Sequence, residues 1–312
     1  MIVQNLIDVF KNAQFTLKQA YAANPNVNPE SVRARIYENL GIAFDRIGRG
    51  IYITKDASCI CMEGDGRDLS GIADNSIDCI LTDHPWDDSR ATKGGTRNFA
   101  TYSTFRYVQN DFDEKARVLK DGAFLCEIIP AESATNFDYL YEIKKMAEKA
   151  GFEYYAKVPW KKGTFVSNTG RKSKNTEDIM LFTKGKSRAL RPDKQRGVDA
   201  NGNPTQFMAG AAGMLPTCFD VQAVPKKNII AQSEKPVELY KQILEYITKP
   251  DEIILDQFAG SGAVGQAAIE TNRKAILIEF DKTKVQNIAK RLNMLQMGDY
   301  YMSLPQVVPQ GY

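Results

Sequence analysis

From Ser58 to about Asn293, short apolar runs of strand length alternate with segments of helical periodicity. The apolar runs predict strands at Cys59–Met62, Ile77–Thr82, Ala123–Ile129, Phe152–Val158, Ile179–Thr183, Ile253–Asp256 and Ala275–Glu279. Helices are predicted at about 137–150, 236–248, 262–271 and 282–293. Such alternation is typical of a mostly parallel sheet that carries helices on both faces. The sequence therefore predicts an α/β fold for this part of the chain.

Residues 1–55 follow a different pattern. Helical segments at 2–10, at 16–23 and after Asn28, with Pro29 at the first helical position, precede an alternating stretch around a Gly-Arg-Gly turn. The alternating stretch predicts a β-hairpin. Three helices followed by a hairpin resemble a winged helix-turn-helix, so we expect a small winged-helix-like domain at 1–55 and a main domain at 56–312. The small domain would bind DNA, or dock a protein partner or a second copy of the chain, and its candidate phosphate contacts are Arg33, Arg35, Arg46 and Arg49.

Composition excludes several classes of protein. The 312 residues contain no run of about 18 apolar residues that could span a membrane. The N-terminus has no cleavage-site pattern, which favours mature protein over a signal peptide. Five cysteines occur without a C-x-x-C pair, so neither a disulfide framework nor a zinc site is indicated. We therefore expect a cytoplasmic protein without a metal ion.

Positive charge is concentrated in one segment. Residues 157–196 contain twelve basic and three acidic residues, whereas the formal net charge of the whole chain is only +3. An excess of this size indicates a surface that faces phosphates, although a solvated charged face would look the same. The candidate DNA contacts in this segment are Lys161, Lys162, Arg171, Lys172 and Lys174.

A glycine turn follows one of the predicted strands. The apolar run that starts at Ile253 leads into Asp256, then into the turn Phe258–Gly262, and then into a predicted helix. Glycines let the backbone approach a ligand closely, and the helix offers free N–H groups to it. Glu279 ends the next strand, where an acid suits a ribose diol. The combination predicts a nucleoside-type cofactor, although the turn alone would also suit NAD, FAD or mere tight packing.

A second pattern, Asp83-His84-Pro85-Trp86, follows the apolar run that starts at Ile77. The carboxyl ends of strands are where open α/β sheets bind ligands. The four residues offer a carboxylate, a backbone carbonyl restricted by the following proline, and a flat aromatic face. These groups suit a purine amine, which needs two acceptors for its hydrogens and a ring to stack on. The alternative is an ordinary strand-to-loop turn.

The two patterns together resemble those of the DNA amino-methyltransferases, whose hallmarks are D-P-P-Y/W and F-x-G-x-G. The resemblance covers about residues 58–296 and includes the stretches EGDGRDLSGIADNSIDCILTDHPW, ARVLKDGAFL, EDIMLFTKGK and SEKPVELYKQILEYITKPDEIILDQFAGSG. The catalytic motif comes first here, which is the order of the β class. His84 and Gln257 replace prolines of the family pattern, and the family's histidine before the SEKP segment is absent.

The resemblance implies a Rossmann-like, seven-stranded, mostly parallel methyltransferase sheet with one reversed strand. It also implies a target-recognition insertion at about 185–231 and S-adenosyl-L-methionine as cofactor. The amine would be bound by Asp83, the His84 carbonyl, Pro85 and Trp86. The cofactor residues implied are Asp65 near the adenine, Asp256 near the methionine end, the ribose acid Glu279, and Phe258, Gly260, Ser261, Gly262, Ser233 and Lys235 around them.

The implied function is methyl transfer to an exocyclic amine of a base flipped out of double-stranded DNA. The aspartate that heads the motif favours adenine N6 over cytosine N4. A non-catalytic DNA-binding protein, an RNA-base methyltransferase and a protein-glutamine methyltransferase are the alternatives. A second copy of the chain and a cognate restriction endonuclease are candidate partners beside DNA, and no membrane association is expected.

Overall fold

The computed structural model describes residues 2–10, 14–40, 43–54, 58–86, 104–163, 175–193, 200–203, 213–225, 227, 229, 234–297 and 300–303. Four residues with predicted roles lie outside this set, namely Arg171, Lys172, Lys174 and Ser233. Much of the predicted target-recognition insertion also lies outside it.

The N-terminal part contains three helices and a three-stranded antiparallel sheet. The helices are α1 (Ile2–Phe10), α2 (Leu17–Ala23) and α3 (Pro29–Glu38), and the strands are β1 (Gln14–Thr16), β2 (Phe44–Gly48) and β3 (Ile51–Thr54), paired in the order β1-β3-β2. The Asn28 side chain caps α3 by accepting a 2.8 Å hydrogen bond from the Glu30 N–H. The predicted helices and hairpin are thus confirmed, whereas β1 was not predicted, and the identification as a winged helix stays a prediction.

The main sheet begins at β4 (Cys59–Glu63) and contains every strand predicted after Ser58. Its other strands are β5 (Ile77–Thr82), β6 (Leu119–Pro130), β7 (Phe152–Lys161), β8 (Thr176–Lys184), β9 (Phe219–Asp220), β10 (Ile253–Asp256), β11 (Lys274–Glu279), β12 (Met294–Met297) and β13 (Tyr300–Ser303). The helices are α4 (Gln109–Val118), α5 (Phe137–Lys149), α6 (Val237–Ile247), α7 (Ala263–Glu270) and α8 (Lys282–Arg291).

The strands are ordered β12-β13-β4-β11-β10-β5-β6-β8-β7-β9. The pairs from β4 to β6 are parallel, and β8 runs antiparallel to both β6 and β7. The expected count of seven strands is too low, because the sheet has ten among the described residues. The additional strands lie at the edges: the β12–β13 hairpin pairs with β4, and the two-residue β9 pairs with β7.

Helix α4 was not predicted, because its sequence QNDFDEKARV carries many charges. Its buried face nevertheless includes Phe112 and Val118 together with Lys115, whose charge hides the apolar periodicity.

Two apolar layers cover the two faces of the sheet. One contains α6, α7 and α8, with residues such as Leu244 and Ile288, and the other contains α4 and α5, with residues such as Phe112 and Ile143. Cys59, Cys61, Cys79 and Cys126 are buried as free thiols within the sheet. In the part of the chain that the structure describes, no helix is long and apolar enough to cross a membrane.

Candidate active site

The two sequence patterns meet at the carboxyl ends of neighbouring central strands, as predicted. Strand β5 lies directly beside β10 and runs parallel to it, so both strands end on the same side of the sheet. The Thr82 hydroxyl donates a 3.0 Å hydrogen bond to Oδ1 of Asp256, which ties the two strand ends together. Asp83 directly follows Thr82, so the acid of the Asp-His-Pro-Trp motif stands next to Asp256, the acid of the glycine turn.

Asp83 is part of a partly buried ion-pair network that the sequence did not reveal. Oδ2 of Asp83 lies 2.5 Å from Nζ of Lys235, and the same ammonium lies 3.3 Å from Oε2 of Glu177. Glu177 also pairs with Lys162. Burial raises the pKa of Asp83, and the ammonium of Lys235 opposes this rise. The resemblance assigns Lys235 to cofactor binding, whereas the structure shows it in contact with Asp83 of the Asp-His-Pro-Trp motif.

His84 points into the protein interior, and its side chain is completely buried. Its Nε2 lies 3.2 Å from the Tyr139 hydroxyl, while Nδ1 lies 3.8 Å from Oε2 of Glu127. Glu127 is itself buried on β6, where it pairs with Lys115 and accepts a hydrogen bond from Tyr107. Burial lowers the pKa of His84, and Glu127 only partly opposes this, so the imidazole is neutral at neutral pH. An imidazole in this position is sealed from solvent.

The Trp86 ring is held by the same aromatic cluster. Its centroid lies 4.1 Å from that of His84 and 5.3 Å from that of Tyr139. Among the described residues, no acceptor meets the buried indole N–H. A half-buried ring fixed on two sides is a rigid surface for stacking.

The glycine turn has the backbone shape that its glycines allow. Gly260 and Gly262 have φ angles of +53° and +77°, in the left-handed region that favours glycine. The Gly260 N–H donates a 2.8 Å hydrogen bond to Oε2 of Glu279, which joins the turn to the end of β11. A Cβ at position 262 would lie 2.9 Å from the Ile288 side chain, so this glycine also allows α8 to pack closely.

Asp256 is a buried carboxylate with an unusual titration. Burial raises its pKa to about 7, although the Phe258 N–H and the Thr82 hydroxyl both donate to it. Near neutral pH the carboxyl is therefore poised between its neutral and ionised forms. A cationic ligand group would hold it in the ionised form.

The loop after β4 is tied to the glycine turn by Gln257. The amide of Gln257 donates a 2.5 Å hydrogen bond to the Gly66 carbonyl, and a Cβ at Gly66 would lie only 1.9 Å from the Gln257 carbonyl oxygen. Asp65, in the same loop, is held by Arg67, which lowers the pKa of that carboxyl. Gln257, which replaces the family's proline, thus anchors this loop through its side chain. Its buried Oε1 has no partner among the described residues.

Phe280 is a candidate site residue that the sequence reasoning missed. It follows Glu279 directly, and its side chain is 72% exposed. A large apolar ring this exposed, next to the acid predicted to bind ribose, is suited to cover a nucleobase. The sequence feature that could have identified Phe280 is its position, one residue after the end of the apolar strand β11.

Most of the paired basic residues of the 157–196 segment meet acids from elsewhere in the chain. Lys161 lies 2.7 Å from Asp220, whereas Lys162 pairs with Glu177 of the same segment. The other pairs are Lys157 with Glu132, Lys184 with Asp121 and Arg188 with Glu252. The local charge excess seen in the sequence is therefore partly neutralised in the fold. The candidate contacts Arg171, Lys172 and Lys174 lie outside the described residues.

The four arginines of the N-terminal part are not grouped on one element. Arg33 lies over the Tyr37 ring and Arg35 pairs with Glu38, both on α3. Arg46 and Arg49, from the hairpin, line an open cleft of about 880 Å³. This cleft lies where β5 and β10 begin, at the edge opposite Asp83, and acidic side chains also line it, namely Asp45, Asp74, Asp78, Asp251 and Glu252.

The glycine turn, the Asp-His-Pro-Trp motif and the two strands that position them lie within a part of the chain that matches a known protein family. Residues 77–291 match the N6/N4 family model described as DNA methylase, and the chain belongs to this family.

Individual relatives are distant. The chain is 25% identical over 229 residues to the type II methyltransferase M.HpaI of Haemophilus parainfluenzae, which covers 72% of this chain and 71% of that protein. The fold is similar to that of M1.HpyAVI, crystallised as a complex with SAM, with a TM-score of 0.51, 19% identity and coverage of 75% of this chain and 100% of that chain. It is also similar to the cytosine-N4-specific PvuII DNA methyltransferase, with a TM-score of 0.55, 16% identity and coverage of 78% and 89%.

Proposed function

We propose that this DNA methylase transfers a methyl group from S-adenosylmethionine to N6 of an adenine that is flipped out of double-stranded DNA. The observation that carries the proposal is the position of Asp83. Its carboxylate, 25% exposed, stands at the sheet edge beside Asp256, with Trp86 held rigidly two residues beyond the neighbouring His84. Acceptor and stacking surface thus adjoin the cofactor turn.

The residues around the turn fit this cofactor. Asp256, with a pKa of about 7, suits the ammonium of a methionine moiety, and Glu279 suits a ribose diol. The exposed Phe280 ring suits the face of an adenine, with Asp65 at the rim. Ser261 and Phe258 line the turn between these acids. Ser233 is proposed for the same site from the sequence alone.

S-adenosylmethionine, when bound, supplies an electrophilic methyl group on a positively charged sulfur. The exocyclic nitrogen of adenine is a poor nucleophile, because its lone pair is delocalised into the ring. The Asp83 carboxylate and the His84 carbonyl each accept one amine hydrogen, which favours a tetrahedral nitrogen with an available lone pair. Trp86 stacks on the base and fixes its distance and angle. The methylated amine is acidic and releases its proton to Asp83 or to water.

Cytosine N4 is the second candidate. Its amine has the same chemistry, and the fold is shared with an N4-specific enzyme. Adenine is favoured because an aspartate heads the motif, as the resemblance to the family indicates.

Mass spectrometry of nucleosides from duplex DNA incubated with the chain and labelled cofactor distinguishes the two. We expect N6-methyladenine. N4-methylcytosine in its place would overturn the choice of base, and label in neither base would overturn the proposal.

We further propose that residues 1–55 form a winged-helix-like module that contacts DNA or a partner, and that residues 56–312 form the methyltransferase domain with its target-recognition insertion at about 185–231. We also propose that the protein acts in the cytoplasm with DNA as its partner, and a second copy of the chain and a restriction endonuclease are further candidates. Sedimentation of the chain with and without duplex DNA tests the oligomeric state.

A further inference from the structure

Lys235 and Glu177 extend the site beyond the catalytic motif and the glycine turn. Lys235 immediately precedes the Pro236 cap of α6, and Glu177 lies near the start of β8. The Lys235 side chain is only 8% exposed, yet its ammonium stands between two carboxylates, 2.5 Å from Asp83 and 3.3 Å from Glu177. A buried charge requires such partners, because each ion loses its hydration.

The two charged neighbours act on Asp83 in opposite ways. Lys235 favours the ionised form of Asp83, whereas the negative charge of Glu177 disfavours it. The pKa of Glu177 is itself lowered, because Lys235 and Lys162 outweigh its burial. Among the residues that the structure describes, the other titratable groups that face Asp83 are His84 on its own loop, Asp256 at the end of β10 and Tyr240 on α6.

We propose that Lys235 is a positioning residue that keeps Asp83 ionised as an acceptor for the target amine. Glu177 holds the Lys235 ammonium in place and weakens its electrostatic effect on Asp83. This inference rests on the proposed methyl transfer to a DNA amine. With Oδ2 of Asp83 bound to Lys235, Oδ1 is the oxygen that receives the amine hydrogen. Glu177 and its partner Lys162 both belong to the basic segment 157–196, so the network connects Asp83 to that segment.

If Lys235 acts electrostatically, substitutions of Lys235 and of Glu177 should move the pKa of Asp83 in opposite directions. Lys235→Gln leaves two carboxylates facing each other without the cation, so the pKa of Asp83 rises and its acceptor form is depleted at neutral pH. Glu177→Gln removes a negative charge and has the opposite effect. The double variant removes both influences and therefore lies between the two single variants. Lys235→Arg keeps the charge and serves as the matched control.

The test is the pH dependence of single-turnover methyl transfer by the full chain, in which the rate falls on the acidic side (the acid limb) as Asp83 is protonated. The cofactor is kept saturating, because Asp256 titrates in the same range and would otherwise make cofactor binding vary with pH. For Lys235→Gln we expect the acid limb to move up by about 1–3 pH units, with a roughly tenfold lower rate for each unit below the limb. Lys235→Arg keeps the wild-type limb, Glu177→Gln moves it down or leaves it, and the double variant lies between. Calorimetry should show cofactor affinity within about threefold of wild type for all four.

An equal rate loss at every pH for Lys235→Gln, or a loss of cofactor affinity with an unmoved acid limb, would overturn the inference. A wild-type chain that methylates no DNA amine would instead overturn the proposed function. The inference is then decided by titration of the Asp83 carboxyl by ¹³C NMR, with Asp83→Asn to assign the signal. The inference is supported if the titration midpoint of Asp83 is highest in Lys235→Gln, intermediate in the double variant and lowest in Glu177→Gln. Equal midpoints in all variants reject it. The NMR measurement and Glu177→Gln also serve if Lys235→Gln does not fold.

Discussion

Asp256 combines burial with the position proposed for binding the cofactor ammonium. Its carboxyl is buried at the carboxyl end of the central strand β10. Desolvation by this burial is the main cause of the rise of its pKa to about 7. In the unfolded chain the same group has a pKa of about 3.9. Between about pH 4 and 7 the unfolded chain ionises this carboxyl while the folded, ligand-free chain keeps it protonated. The free energy of unfolding therefore falls as the pH rises through this range and stays lower above pH 7, and a bound cation would offset that cost.

The first prediction is that cofactor affinity rises with pH up to about 7 and then levels off. Below pH 7 the carboxyl must release a proton before it can pair with the ligand ammonium, so affinity falls by roughly tenfold per unit. Asp256→Asn should abolish this pH dependence and weaken binding by about ten- to a hundredfold. Calorimetric titration between pH 5.5 and 8.5, a range set by the pKa of about 7, checks both. An affinity that is flat across this range would count against the assignment.

The second prediction concerns His84. Because its imidazole is buried against Trp86 and Tyr139, we expect its removal to create a cavity and not to remove a general base from the reaction. His84→Ala should lower the free energy of unfolding by about 2–4 kcal/mol, since a large buried ring is removed. At a temperature where the variant remains folded, single-turnover activity should stay within about tenfold of wild type. Thermal melting and quenched-flow kinetics measure the two effects. A thousandfold rate loss with normal folding and binding would make the imidazole catalytic.

Among the elements, the β2–β3 hairpin packs its backbone closely against the loop between β4 and β5. A Cβ at Gly48 would lie 1.7 Å from the Gly71 carbonyl oxygen, and the Ala73 N–H donates to the Ile47 carbonyl. The hairpin can approach the loop between β4 and β5 only because residue 48 has no side chain.

The third prediction is therefore that Gly48→Ala separates the hairpin from this loop and destabilises the chain by about 1–3 kcal/mol. Gly50→Ala is the matched control, because Gly50 has a positive φ of +75° but no atom near its Cβ position. Its cost is limited to backbone strain of about 1 kcal/mol. Thermal unfolding of both variants provides the comparison, and an equal or larger loss for Gly50→Ala would contradict this packing.

The fourth prediction concerns the basic segment. Neutralising Arg171, Lys172 and Lys174 should flatten the slope of log DNA affinity against log salt by about 0.9 for each phosphate that the variant no longer neutralises. Lys161→Gln should change the slope less, because Asp220 already pairs with that ammonium. Fluorescence anisotropy over a salt series measures the slopes. An unchanged slope in the triple variant would assign the segment to solvent.

Local patterns predicted the elements well where one periodicity dominates. The strands from Ile77 and Ile253 and the cap at Asn28 follow from neighbouring residues alone. Helix α4 was missed because the buried Lys115 interrupts its apolar face, and its partner Glu127 lies on a different element. The same limit applies to the pairing of Lys235 with Asp83, which are 152 positions apart. Contacts of this kind depend on the tertiary fold.

At the scale of the whole molecule, the order of strands explains why two distant motifs form one site. The turn after Asp256 and the motif after Thr82 lie far apart in the chain, but β5 and β10 are parallel neighbours. The sequence predicted that both would lie at the carboxyl edge. It also assigned a charge excess to residues 157–196, whereas the fold places acids from outside the segment, such as Asp220 and Glu252, against part of it.

The central claim is that Asp83 serves the reaction and not the cofactor. The most direct test compares wild type, Asp83→Ala and the control Asp121→Ala, which removes an 88% exposed carboxylate near the start of β6. Single-turnover transfer of labelled methyl to duplex DNA and calorimetric binding of S-adenosylmethionine are measured on each variant. We predict that Asp83→Ala abolishes transfer while binding the cofactor within about threefold of wild type, and that Asp121→Ala changes neither. An Asp83→Ala chain that still methylates DNA at the wild-type rate would contradict the account.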